Sequence, residues 1–201
     1  MNTKQKVIAI DGPSASGKGT VASRVAQALG FDYLDSGALY RLTALYAKKR
    51  DVEWSDEDAV AELAENLPAR FEGSQVFLDD EDVSGQIRSE AIGMGASAVA
   101  QLPKVRAALL QRQRDFLTEK GLVADGRDIG SVIFPDAALK IFLTASANVR
   151  AQRRAKQLGI PCEGVAFERI LSDLEARDEA DRRRPVAPLK QLPDDLLLDT
   201  D

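Results

Sequence analysis

The sequence predicts an α/β protein built around a mainly parallel sheet, and three observations lead there. Short apolar runs recur along the chain with helical patterns between them. The first run opens directly into a glycine-rich loop and a helix. The composition, 44% hydrophobic and 29% charged over 201 residues, suits one sizeable globular domain.

Residues 6–10 form a β-branched run that ends in Asp11-Gly12, the pattern of a buried strand followed by a turn. After the loop, Val21, Val25 and Leu29 recur at helical spacing over residues 20–29, with Gly30 placed as a cap. Further strands are expected at 121–124, 139–144 and 196–198, and further helices at 104–120 and 148–157. Residues 67–93 break the rhythm. Turn residues at Gly73-Ser74 and Ser84-Gly85 predict a small antiparallel insert there. No repeat or long linker divides the chain, so a single domain over 1–201 is expected. This architecture would place a covering helix beyond the final strand and its "LLLDTD" ending.

Composition also excludes chemistries. The chain has no histidine and one cysteine, Cys162, which removes histidine-based nucleophilic catalysis, thiolate metal clusters and an intrachain disulfide. A net charge of −5 argues against non-specific nucleic-acid binding. No run approaches the ~20 apolar residues of a membrane span, and the N-terminus carries no signal-peptide pattern. A cytoplasmic, monomeric protein is expected, with no nucleic-acid or membrane partner.

The loop "GPSASGKGT", residues 12–20, carries the first functional signal. Gly12, Pro13, Ser14, Ala15, Ser16, Gly17, Lys18, Gly19 and Thr20 lie between a strand and a helix, the context a phosphate nest requires. Glycines admit close backbone approach, successive N–H groups converge, and the helix N-terminus favours an anion. Lys18 adds an ammonium for the outer phosphates. Gly19 stands where such loops usually place a Mg²⁺-binding hydroxyl, which moves Thr20 one residue on. Asp125, at the end of a strand, is the better metal candidate, acting through water. A GTPase would share the loop, but its Asn-Lys-x-Asp motif finds no Asn-Lys pair here.

Together "GPSASGKGT", "LDSGALYR", "PKVRAALLQRQR", "ADGRDIGSVIFPDA", "KIFLTA" and "RDEADRRRPVAPL" resemble the bacterial cytidylate kinases, over almost the whole chain. The resemblance implies a P-loop kinase fold: a five-stranded parallel sheet with helices on both faces. It also implies a small antiparallel nucleotide-binding insert near 60–100 and a helical lid near 150–185. The implied reaction passes the γ-phosphoryl group of ATP to CMP or dCMP, with Mg²⁺. Other acceptors, such as UMP, AMP or shikimate, and a non-catalytic nucleotide-binding role are the alternatives.

Arg41 and Arg127 are expected to grip the acceptor phosphate with guanidinium forks, with Ser36 in the same turn as Arg41. The resemblance carries base recognition onto Asp128, Arg106 and Ser97. A carboxylate suits the cytosine amino group. Tyr40 either stacks on the base or belongs to the core. Arg150, Arg153, Arg154 and Gln157 share one helix face, as do Arg177, Asp181 and Arg184. The family places phosphate-clamping arginines in these segments. Arg154, Arg177 and Arg184, with Lys18, are thus the expected catalytic residues. Asp181 orients an arginine or contacts the ribose. The absent histidine fits, because phosphoryl transfer to an anionic oxygen needs alignment and charge neutralisation rather than a base.

Overall fold

The computed structural model describes residues 5–73 and 75–201. Its elements run β1 (Gln5–Asp11), α1 (Lys18–Leu29), β2 (Asp32–Asp35), α2 (Ser36–Lys49), α3 (Glu57–Glu65), β3 (Ala69–Glu72), β4 (Gln75–Leu78) and β5 (Glu81–Asp82). There follow α4 (Glu90–Val99), α5 (Pro103–Arg114), β6 (Leu122–Gly126), β7 (Ala137–Thr144), α6 (Ala147–Leu158), α7 (Val165–Arg183) and β8 (Leu196–Asp199). The chain forms two compact units, Met1–Leu34 with Phe116–Asp201, and Asp35–Asp115.

In the first unit the sheet order is β2-β6-β1-β7-β8, with β1 parallel to β6 and β7, and β7 parallel to β8. The central strands are apolar because both faces are covered. Ile10, Val123 and Leu143 pack with Ala22 and Ala26 of α1 on one face. On β1, Val7 and Ala9 alternate with Ile8 and Ile10 and so face the other way. There Gly130, in a π-type turn at Ile129–Ile133, sits against Ala9. Fully burying a Val, Ile or Leu side chain of this kind stabilises the fold by about 1.5–3 kcal/mol.

In the second unit β3, β4 and β5 make the expected antiparallel sheet, flanked by helices. Arg112 of α5 donates to the carbonyls of Leu67 and Ala69, tying that sheet's entry to the helix. Of the expected turn at Gly73-Ser74, Ser74 lies outside the described residues. The turn at Ser84-Gly85 is present, but residues 90–93 belong to α4 rather than to the antiparallel insert.

Two boundaries correct the sequence expectation. The helix expected at 104–120 ends at Arg114. Beyond it, Thr118 donates its hydroxyl to Asp32, distant in sequence, and accepts from the Lys120 N–H, and the second of these is a local bond that competes with helix continuation. At the other end of the chain α7 stops at Arg183, so Arg184 lies at its C-cap with extended backbone instead of on the helix face.

Candidate active site

Gly12 leaves β1 where a side chain cannot follow. A Cβ there would stand 2.0 Å from the Leu143 carbonyl oxygen. The loop then turns through left-handed backbone at Ala15 (φ 58) and Gly17 (φ 93) and enters α1 at Lys18. Lys18 is buried and donates through Nζ to the Pro13 carbonyl at 3.2 Å. An α-helix N-terminus, a left-handed glycine and a lysine thus meet in one loop, the combination that favours a bound anion.

The carboxyl end of β6 lies beside it. Buried Asp125 accepts from the Tyr33 hydroxyl at 2.7 Å. Its carboxylate oxygens stand 3.9 and 4.0 Å from the point where a Cβ on Gly19 would sit. Gly19 therefore leaves space against a carboxylate at the position that usually carries the metal-binding hydroxyl. That arrangement fits Mg²⁺, which takes one or two carboxylates together with substrate phosphates and water. Thr20 is exposed on the following residue.

Arg127 donates through Nε to Asp181 Oδ2 at 2.8 Å and through Nη2 to Ser14 Oγ at 2.7 Å, so it joins α7 to the loop. Burial works to lower its pKa, but the attraction of Asp181, with Asp125 and Asp178, outweighs burial and raises it. Asp128 is buried and begins the π-type turn. Asp11 holds that turn in place by accepting from the N–H groups of Ile129 at 2.9 Å and Gly130 at 2.8 Å. Burial pushes the Asp11 carboxyl up to about 7, against those two N–H groups, with Asp128 and Asp195 adding to the rise.

On α6, Arg154 donates to Gln157 Oε1 at 3.5 Å, within its own helix. Arg150 and Arg153 reach the loop instead. Arg150 donates to the Ser14 carbonyl at 3.1 Å and Arg153 to that of Ser16 at 3.1 Å. Arg150 also pairs with Asp178 of α7 at 2.6 Å, both side chains nearly inaccessible. Arg177 is half-buried on α7, and Arg184 is buried at its end. The contacts of Arg150 and Arg153 with the loop, and the pairing with Asp178, were not among the sequence expectations. A run of charges at helical spacing reads alike whether it faces solvent or backbone.

The other expected residues lie in the second unit. Ser36 and Tyr40 are buried on α2, and Arg41 of α2 donates to the Ile87 carbonyl at 2.9 Å. Arg41 thus lies inside a helix, because α2 begins directly after β2. The Arg106 guanidinium lies 5.7 Å from the centre of the Tyr40 ring, and Arg106 also donates to the Ala100 carbonyl at 3.3 Å. Tyr40 is therefore both buried and in contact with the arginine expected to read the base. Ser97 donates back to the Gly93 carbonyl at 3.2 Å, one turn earlier on α4.

A parallel sheet carrying a lysine-bearing phosphate loop at its carboxyl edge, with arginines gathered about it, defines a P-loop phosphotransferase. The cytidylate kinase family matches residues 8–201. A cytidylate kinase of Neisseria meningitidis serogroup C is 79% identical over 98% of this chain and 90% of its own length. Those of Chromobacterium violaceum and Pseudomonas syringae pv. tomato are 60% and 53% identical, over 96% and 100% of this chain and 87% and 90% of their own lengths. The chain belongs to the cytidylate kinase family. No helix among the described residues is long and apolar enough to cross a membrane.

Proposed function

We propose that the chain transfers the γ-phosphoryl group of ATP to CMP or dCMP, as a monomer in the cytoplasm. Family membership supports the reaction, and the observation that carries the site is the loop with buried Lys18 beside Asp125. The exposed free thiol of Cys162 fits a reducing compartment.

The loop amides and Lys18 bind the donor phosphates. Asp125 would hold Mg²⁺ through water, and the ion supplies charge neutralisation to the phosphate oxygens. Arg41 and Arg127 receive the acceptor phosphate, with Ser36 as a further hydrogen-bonding group. Asp181 keeps the Arg127 fork oriented, which the 2.8 Å bond supports. Asp128 accepts from the cytosine amino group, Arg106 donates to N3, and Ser97 and Tyr40 complete the base contacts. Arg154, Arg177 and Arg184 of a lid near 150–185 neutralise charge on the transferring group and help exclude water.

A coupled assay of ATP with CMP, dCMP, UMP and AMP tests this reading. CMP and dCMP should be phosphorylated at the highest kcat/KM. Preferential turnover of UMP or AMP, or no turnover with any nucleotide, would remove it.

A further inference from the structure

We propose that Arg150 and Arg153 of α6 are positioning residues that aim the amides of the phosphate loop at the donor phosphates. The inference rests on the ATP reading of the loop and deepens it.

A trans peptide unit is planar, with its C=O and N–H pointing in opposite directions. Holding a carbonyl from one side therefore turns the next residue's N–H to the other side. Arg150 holds the Ser14 carbonyl, which directs the Ala15 N–H away from α6. Arg153 holds the Ser16 carbonyl and does the same for the Gly17 N–H. Lys18 holds the strand exit at the Pro13 carbonyl. Ala15 and Gly17 are the loop's left-handed residues among 13–18, and a non-glycine residue at φ 58 needs its surroundings to keep it there.

The arginines are themselves fixed. Arg150 donates as well to the Ala145 carbonyl at 2.9 Å and to Asp178 at 2.6 Å. Three chain segments are thus joined through one guanidinium: the end of β7, the loop and α7. Arg153 donates as well to Thr200, through both its hydroxyl (3.0 Å) and its carbonyl, and the Thr200 hydroxyl lies 3.3 Å from the Ser16 carbonyl. A lysine has the charge but not the fork that spans Ser16 and Thr200 at once. The positioning role predicts that fork geometry matters on the donor side alone, while a direct phosphate contact would be satisfied by charge.

The test measures binding of ADP and, separately, CMP by calorimetry to the wild type, Arg153→Gln, Arg153→Lys and Thr200→Val. Arg153→Gln and Arg153→Lys should each weaken ADP about tenfold, the effect of one lost charge-assisted hydrogen bond, with CMP changed less than about twofold. Thr200→Val, a milder loss of the same support, should weaken ADP about threefold and decides the matter if the Arg153 variants do not fold. Wild-type ADP affinity in Arg153→Lys would show that charge suffices and overturn the proposal. Equal losses for ADP and CMP would also overturn it, as a general structural effect. Failure of the wild type to bind ADP would instead strike at the proposed function.

Discussion

Replacing Gly12 with alanine tests whether the loop's exit from the sheet is set by backbone contact. The new Cβ would stand 2.0 Å from the Leu143 carbonyl oxygen and 3.1 Å from its carbonyl carbon. Favourable carbon–oxygen contacts begin at about 3.3 Å, so the overlap exceeds about 1 Å. Leu143 cannot retreat. Its strand is paired with β1 at Ile10–Ile141 and Asp11–Phe142, and with β8 at Leu143–Leu198. Overpacking against movable side chains costs about 1–3 kcal/mol, and main chain locked in a ladder puts this variant at about 3 kcal/mol. For a chain of this size that lowers Tm by roughly 6–12 °C. Gly17→Ala is the control. Apart from Gly17 itself and the residues adjoining it, nothing lies within 4 Å of the point its new methyl would occupy, and only the left-handed φ of 93° resists, at about 1 kcal/mol and roughly 2–4 °C. Thermal melts followed by circular dichroism, with ADP binding on the same samples, measure both. A Gly12→Ala protein that melts no lower than Gly17→Ala would refute the steric argument.

Three further outcomes are expected. Lys18→Ala should leave the melt close to wild type and lower kcat by at least about a hundredfold in the CMP assay, since its charge is needed in the transition state; near-normal turnover would sink that assignment. Asp128→Asn should lower kcat/KM for CMP and narrow the CMP/UMP ratio, by about tenfold or more, because an amide can present either a donor or an acceptor; an unchanged ratio in the folded variant removes Asp128 from base recognition. The raised Asp11 pKa means that the fold binds its proton more tightly than the unfolded chain does. Its stabilisation is full below the unfolded pKa near 3.8 and is lost as pH rises through about 7. Denaturant titrations at pH 5 and 8 should show a loss of about 2–3 kcal/mol that Asp11→Asn flattens, and identical pH slopes in the two proteins would contradict the burial argument.

The phosphate loop, the strand runs of β1, β6, β7 and β8 and the helices α1, α5 and α6 were legible in the sequence because local chemistry sets them. Glycine at residues 12 and 17, a β-branched run before them and Gly30 after α1 act over a few residues. The overrun of the 104–120 helix shows where that reasoning ends. Its last residues have nothing in their own spacing to forbid a helix, and the bond from Thr118 to Asp32 is made to a residue 86 positions away. Helical periodicity likewise placed Arg150, Arg153, Arg154 and Gln157 on one face, but could not say what the face would meet. Only tertiary structure set Arg150 and Arg153 against the carbonyls of Ser14 and Ser16, and left Arg154 bonded within its own helix. The same holds for Asp11, an ordinary strand-end carboxylate in sequence, whose pKa was decided by burial and by Ile129 and Gly130 across the fold. Propensity and loop chemistry are properties of neighbouring residues. Desolvation and the partners of a charge are properties of whatever the folded chain brings alongside it.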